Sequence, residues 1–430
     1  MVLSRHQRYS VIRPSVVLSL IVATWIASIS SLTTQADSQA QPFAQPSPAG
    51  PTDTIIVKFR PGTTSTEATR SLARYGFQSG IQPELAKLGL SVIRVPAGQA
   101  SAALAALQRD PSVALAHPSR PVRIQETPND PNWSLQYGAV HIQSPQAWDI
   151  TTGTVSVTIA IVDTGVDLTH PDLQPNIIMG INVISPTLSP QDDHGHGTHV
   201  AGIAAAVGNN NLGVAGTTWN ARIMPVKVLD QTGNGDDAGV AVGIVWAADH
   251  GAQVINLSLG GPCPSPVMEM AVTYAYTMGV TVVAAAGNYG ITSDPRVLCP
   301  AASPHAIAVG ATDQSNNRAS FSNYGPELDL AAPGVSIYST TLGGGYDYKS
   351  GTSMATPFVA GAAALLAGWP QFSTPDAIRI ALEATALDLG AVCRDPYFGA
   401  GLVQVFAALN YTTATPPKCY YTFFPFTSRN

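Results

Sequence analysis

Gly351-Thr352-Ser353-Met354-Ala355-Thr356-Pro357-Phe358-Val359-Ala360-Gly361 runs into an Ala-rich apolar segment that reaches Gly368. The apolar run predicts a buried helix opened by Gly-Thr-Ser. Ser353 then sits at the helix N-terminus, where unpaired backbone N–H groups and the positive end of the dipole favour a developing negative charge. That setting suits a nucleophilic hydroxyl. It equally suits a plain N-cap, which is what most Gly-x-Ser sequences before helices are. The stretches around Asp163 and His196 bear on the choice.

Val157-Thr158-Ile159-Ala160-Ile161-Val162 is a near-continuous apolar strand, as a parallel sheet covered on both faces requires. Residues 223–229, 254–259, 280–286 and 307–311 repeat the pattern, with helical runs at 196–207, 237–250 and 266–278. Strands alternating with helices predict an α/β fold with a mainly parallel central sheet, whose site lies beyond the carboxyl ends of the strands. Asp163 directly follows the first strand, and Asn288 follows the strand ending Ala284-Ala285-Ala286-Gly287. Ser258-Leu259-Gly260-Gly261 ends another, and His196 opens the helix of His196-Gly197-Thr198-His199-Val200-Ala201-Gly202.

Each piece alone has an ordinary reading. Asp163 can cap a turn, and Asn288 can simply tolerate a left-handed conformation. His194, His196 and His199 suggest a metal cluster, but no His-Glu-x-x-His pattern accompanies them. His199, beside Val200 and Ala201, reads as a hydrogen-bonded packing residue rather than a base. Together, a carboxylate, an imidazole, an amide and a hydroxyl fit acyl transfer. The carboxylate orients the imidazole, the imidazole takes the hydroxyl proton, and the alkoxide attacks an acyl carbon. The Asn288 amide and the Ser353 N–H are then the donors for the oxyanion.

The rest of the 430 residues frames that reading. Charged residues make up 11%, hydrophobic ones 45%, and the net charge is −6, without a Lys/Arg cluster beyond the N-terminus. This excludes a disordered or coiled-coil chain and argues against nucleic acid as a partner. Arg5, Arg8 and Arg13 precede an apolar segment and then small residues, the pattern of a signal peptide over 1–36; an uncleaved membrane anchor is the competing reading. Residues 37–52 are a Pro/Gln-rich linker. Strands at 54–59, 90–95 and 113–116 interleave with helices at 65–75 and 100–108, which predicts a split βαβ unit of the ferredoxin-like kind. The proline-marked connection at 117–132 is an exposed place for a cut. Four cysteines without a Cys-x-x-Cys pair fit two disulfides in an oxidising compartment. Among three connectivities, Cys263–Cys299 with Cys393–Cys419 is the economical one.

Asp163-Thr164-Gly165, the His196–Gly202 stretch and Gly351-Thr352-Ser353-Met354-Ala355-Thr356-Pro357, in that order, resemble the subtilisin family of serine endopeptidases. Pro128-Asn129-Asp130-Pro131, Pro145-Gln146-Ala147-Trp148-Asp149 and Gly202-Ile203-Ala204-Ala205-Ala206-Val207 resemble its thermitase branch. The resemblance implies a subtilisin-like three-layer fold over 125–410, preceded by a ferredoxin-like α+β pro-domain over 53–124 and followed by a tail at 411–430. It implies Asp163, His196 and Ser353 as the triad and Asn288 as oxyanion donor. Ser258, Leu259 and Gly260 would pair with an extended peptide, while Ala285, Ala286 and Gly287 would line the pocket before the scissile bond. The pro-domain would be an intramolecular inhibitor and folding assistant, removed by self-cleavage within 119–129, near 124–127.

A structural Ca²⁺ is implied as well, held by Asp130, Asp172, the Asn210 side chain and the carbonyls of Val207, Leu212 and Val214. The second calcium loop of the thermitase branch would fall between Asn182 and Asp193, where residues 184–190 lack a carboxylate. Phe358 stands where the family commonly has His, off the triad. Asp236 and Asp237 fall in a loop bordering the cleft, which would favour basic side chains a few positions before the cut. The expected protein is a secreted monomer acting on polypeptides, without stable membrane association. The alternatives are an inactive peptide-binding scaffold of the same fold and a membrane-anchored protease.

Overall fold

A computed structural model describes residues 52–77, 79–80, 83–96, 98–119 and 127–412. The expected signal peptide, nearly all of the linker and of the C-terminal tail, and most of the expected cut region lie outside the described residues. So does Cys419, and with it the second expected disulfide. Among the described residues no helix is long and apolar enough to cross a membrane. The chain divides into two units, Met1–Val122 and Arg123–Asn430.

In the first unit, β1 (Thr52–Phe59), α1 (Ser65–Arg74), β2 (Ser79–Gly80), α2 (Pro83–Ala86), β3 (Leu90–Pro96), α3 (Ala100–Arg109) and β4 (Val113–Pro118) follow in order. The sheet runs β2-β3-β1-β4, all antiparallel, which is the split βαβ arrangement. Period-2 alternation puts Ile55, Val57, Ile93 and Val95 in a core with Leu72 of α1 and Leu107 of α3. Thr64 and Glu67 form a reciprocal capping box that starts α1.

The second unit contains α4 (Tyr137–His141), α5 (Ser144–Trp148), β5 (Thr158–Asp163), β6 (Ile181–Asn182), α6 (His196–Ala205), β7 (Arg222–Lys227), α7 (Asp237–Asp249), β8 (Val254–Leu257), α8 (Pro266–Thr277), β9 (Thr281–Ala285), β10 (Ala306–Thr312), β11 (Leu330–Pro333), β12 (Ile337–Thr341), β13 (Gly345–Lys349), α9 (Thr352–Ala367), α10 (Pro375–Thr385) and α11 (Val405–Leu409). Seven strands form one parallel sheet in the order β11-β10-β9-β8-β5-β7-β6. Every residue of β5 is buried because the two faces feed two cores. Ile159 and Ile161 join the core with α6 and α9, and Ala160 and Val162 join the core with α7 and α8. The three layers thus follow from strands apolar on both sides.

Helix α9 is buried throughout from Met354 to Leu366. Small residues let α6 lie close against it: a Cβ on Gly361 would come within 2.5 Å of Thr217 Cβ and 2.9 Å of Ala204 O. The elements that sequence patterns missed are short or irregular, apart from the regular 11-residue helix α10. β6 has two residues, β11 ends in Pro333, and β12–β13 is an antiparallel hairpin apart from the main sheet, turned through Leu342-Gly343-Gly344.

The C-terminal elements are tied to the sheet by charge. Buried Asp329 accepts from Arg379 Nη2 at 2.5 Å and Arg394 Nη2 at 2.6 Å, and Arg379 Nε reaches Glu383 at 3.0 Å. Removing the central carboxylate leaves two part-buried guanidinium groups short of a partner. Asp329→Ala should therefore cost roughly 3 kcal/mol or more, the usual effect of breaking a buried pair. Arg296→Ala, which breaks the exposed Arg296–Asp294 pair, should leave the transition where it is. Urea denaturation of the two variants beside wild type checks this, and equal midpoints would contradict it.

Candidate active site

Asp163 is the last residue of β5 and is fully buried. Its Oδ1 accepts from Thr164 N at 2.7 Å and from His196 Nδ1 at 2.7 Å, while Oδ2 has no partner among the described residues. His196 can come this close because residue 197 is glycine. A Cβ there would stand 2.1 Å from Gly165 O and 3.2 Å from Asp163 Oδ1.

The start of α6 is held from outside the helix. Asp192, 4% exposed, accepts from Thr164 Oγ1 (2.8 Å), His194 N (3.0 Å), Gly195 N (2.9 Å), Thr198 N (2.9 Å) and Thr198 Oγ1 (2.6 Å). One carboxylate thereby satisfies several of the donors that a helix start leaves free, and His196 is fixed in their midst. Burial pulls the His196 pKa down, but the Asp163 charge and hydrogen bond outweigh it, so the value stands above that of a free imidazole. Lys349 works against this rise and Asp192 with it. The His196 side chain is 22% exposed, and its Nε2 makes no hydrogen bond among the described residues.

Ser353 is the second residue of α9. Pro357, four residues on, has no N–H to give the Ser353 carbonyl; Ser258 Oγ donates to it instead at 2.8 Å. Ser353 Oγ in turn donates to Ser258 O at 3.0 Å. The Asn288 side chain is oriented by Thr352, whose N and Oγ1 donate to Asn288 Oδ1 at 2.9 and 3.0 Å. That leaves its amide as a donor. A Cβ built on Gly351 would be 3.5 Å from Asn288 Nδ2 and 3.6 Å from Ser353 N, so both donors border one space.

These groups share a cleft of about 630 Å³ with Ser258, Leu259, Gly260, Ala285 and Gly287. Ala286 instead packs into the core behind it. Sequence patterns gave no sign of Thr352 as the holder of Asn288, nor of Leu298, which also lines the cleft from an irregular segment. Asp236 and Asp237 line it too; Asp236 caps α7 by accepting from Gly239 N (2.7 Å), and Asp237 accepts from Ser265 Oγ (3.0 Å). His199 is buried, and its Nε2 pairs with Asp347 O at 3.0 Å. Phe358 is buried in the α6–α9 core, where a Cβ on Gly138 would collide with its ring. Cys263 and Cys299 form a disulfide with a Cα–Cα distance of 5.2 Å.

Away from the cleft, Asp130 and Asp172 are 3% and 0% exposed. Neither has an ion-pair partner among the described residues, and burial holds both carboxyls above the usual range. Asn210 Nδ2 donates to Asp172 Oδ1 at 2.8 Å, and Asp130 Oδ2 accepts from Asn209 N at 2.7 Å. The carbonyls of Val207, Leu212 and Val214 accept no hydrogen bond among the described residues. Two buried uncompensated carboxylates beside idle carbonyls fit a hard divalent cation. Between Asn182 and Asp193 the picture differs: Asp192 is fully engaged and Asp193 pairs with Lys227 Nζ at 2.7 Å.

A buried carboxylate on an imidazole, and a helix-start serine beside two N–H donors, can perform acyl transfer to a hydroxyl. Comparisons with known proteins give the class. Residues 155–401 match the model of the subtilase family (peptidase S8), and residues 47–119 match the fervidolysin N-terminal prodomain. Thermitase of Thermoactinomyces vulgaris is 50% identical over 286 residues, 66% of this chain and 100% of that protein. A thermophilic serine proteinase of Bacillus sp. (strain AK1) is 42% identical over 358 residues, 83% of this chain and 87% of that one. Among solved structures, a protease from Pseudoalteromonas arctica superposes with a TM-score of 0.61 at 34% identity, over 66% of this chain and 99% of that chain. The chain belongs to the subtilase family. It is a subtilisin-type serine protease with an N-terminal prodomain.

The two helix histidines differ sharply in surroundings. His199 is held down to about 4 by burial, while His196 stands above the ordinary 6.5. A ¹H–¹⁵N imidazole titration should show His196 protonating first as pH falls and His199 staying neutral until near pH 4. A single shared transition would contradict these environments.

Proposed function

We propose that the protein is a secreted endopeptidase of broad specificity, acting through Asp163, His196 and Ser353 and maturing by cutting off its own pro-domain. The observation that carries this reading is the 2.7 Å Asp163–His196 contact facing the same cleft as Ser353 and the Asn288 amide. A substrate strand pairs with Ser258–Gly260 through main-chain hydrogen bonds, which tolerate many side chains. Ser353 Oγ leaves the Ser258 carbonyl by rotation about χ1 and gives its proton to His196 Nε2. Such contacts are often loose in a free enzyme and tighten with substrate bound. The new Oγ–C bond turns the carbonyl oxygen into an oxyanion, held by Asn288 Nδ2 and Ser353 N–H. The C–N bond then breaks, and the leaving amine takes the proton from His196. Water repeats the sequence to free Ser353, while Asp163 stabilises each imidazolium.

Residues 53–124 serve as inhibitor until cleavage near 124–127, and the mature enzyme works as a monomer. Asp130, Asp172, Asn210 and the carbonyls of Val207, Leu212 and Val214 hold a structural Ca²⁺, which supplies the positive charge that the buried carboxylates lack. It takes no part in the chemistry.

Ser353→Ala should leave the precursor uncut and lower kcat on a peptide by about 10⁶-fold. Intact mass and N-terminal sequencing beside wild type check this, and identical maturation of both chains would mean that another protease does the cutting. Because His196 must be neutral to accept the proton, kcat/KM should fall as pH drops through its raised pKa. For the cation, chelator should lower the wild-type melting temperature, and Asp172→Asn should make it insensitive to calcium. Each Ca²⁺ excess of 100-fold over Kd corresponds to roughly 2.7 kcal/mol of stabilisation. A wild-type transition indifferent to calcium would remove the site.

A further inference from the structure

One side chain in the cleft takes no part in the arrangement described so far. Leu298 lies between two backbone walls, Ser258–Gly261 on one side and Ala285–Asn288 on the other. A Cβ built on Gly260 would meet Leu298 Cβ at 3.1 Å and Cδ1 at 3.2 Å. A Cβ built on Gly287 would meet Leu298 Cγ and Cδ1 at 2.8 Å. The isobutyl group therefore occupies the space between the walls, against glycines on both.

Leu298 is fastened there from several directions. Its N–H donates to Ala286 O at 3.0 Å, and its carbonyl accepts from Ala302 N at 2.8 Å. The next residue, Cys299, exchanges two backbone hydrogen bonds with Gly261, at 2.9 and 3.1 Å. The Cys263–Cys299 disulfide ties the same two segments covalently. The wall carrying Leu298 cannot draw back from the wall carrying Gly260 without breaking these links.

Ser353 fixes where the attacked carbon must sit, and Asn288 Nδ2 with Ser353 N–H fixes its oxygen. The side chain on the acyl side of the cut then enters the space lined by Ser258, Gly260, Ala285 and Gly287, which Leu298 lines as well, close against both glycines. We propose that Leu298 sets the size limit of that residue, so that the enzyme accepts small side chains such as Ala or Ser before the cut and turns away Phe and Tyr. The proposal rests on the protease reading of Ser353. An aromatic ring has to displace a packed isobutyl group that is held by the sheet and a disulfide, and overfilling a packed space is costly.

The test uses the mature enzyme and peptide p-nitroanilides that share Ala-Ala-Pro and differ in the last residue, Ala, Leu or Phe. Wild type, Leu298→Ala, Leu298→Gly and Ser353→Ala are compared by kcat/KM. The Phe:Ala ratio within one variant cancels any loss of correctly folded enzyme. Wild type should favour Ala over Phe by about 10-fold or more, and the ratio should move toward Phe by about 10- to 100-fold, more in Leu298→Gly than in Leu298→Ala. A wild type that cleaves Phe faster than Ala, or a ratio unmoved in both variants, overturns the role of Leu298 while the protease reading stands. Hydrolysis that is absent from wild type, or that survives in Ser353→Ala, overturns the assignment of Ser353 and this proposal with it.

Discussion

Helix α9 is buried on every side, and a helix so placed has no freedom to adjust to its own sequence. It lies between the sheet and α6, and Gly361 sets how near α6 can come. Its first residues consequently project into the cleft at a position dictated by the whole core. Pro357 adds a local consequence: the carbonyl it leaves unpaired is taken by Ser258 Oγ, which links the helix start to the end of β8. Stability and placement of Ser353 are here one problem, solved by small residues and one missing N–H.

A second constraint concerns charge in a dry interior. Asp163 and Asp192 lie at the same end of the sheet, yet they are satisfied in opposite ways. Asp192 accepts from backbone and hydroxyl donors with both oxygens and is saturated. Asp163 places its bonds on one oxygen, and the other is left without a donor among the described residues. The saturated carboxylate fixes geometry. The incompletely satisfied one keeps a reason to stabilise positive charge on its neighbour, which matches the raised His196 pKa. Burial has a further outcome at Asp130 and Asp172, where two carboxyls are pushed upward with no cation among the described residues to answer them.

Much of this was legible in the chain. The apolar runs at 157–162 and 280–286 read as strands, the first as one covered on both faces, and they are β5 and β9. The motifs carrying Asp163, His196 and Ser353 sit at strand ends and helix starts, where position along an element already says which way a group faces. The β12–β13 hairpin was not legible: Gly345-Tyr346-Asp347-Tyr348-Lys349 follows adjacent glycines and gains its strand character from its partner. Leu298 was hidden for a similar reason. It lies in no regular element, and only the folded chain brings it against Gly260 and Gly287. Ala286 shows the converse, since a period-2 strand sends alternate residues to opposite faces and only Ala285 and Gly287 reach the cleft.

The loop at 209–211 has a consequence for the segment that opens the peptidase unit. Asn129 N donates to Asn209 Oδ1, Asn211 N donates to Asn129 Oδ1, and Asn132 N donates to Gly213 O. With the Asp130 contact to Asn209 N, these bonds lace residues 129–132 into the body of the peptidase unit. Removing residues 129–132 would unlace this four-residue seam and take from Asn209, Asn211 and Gly213 the partners they hold there.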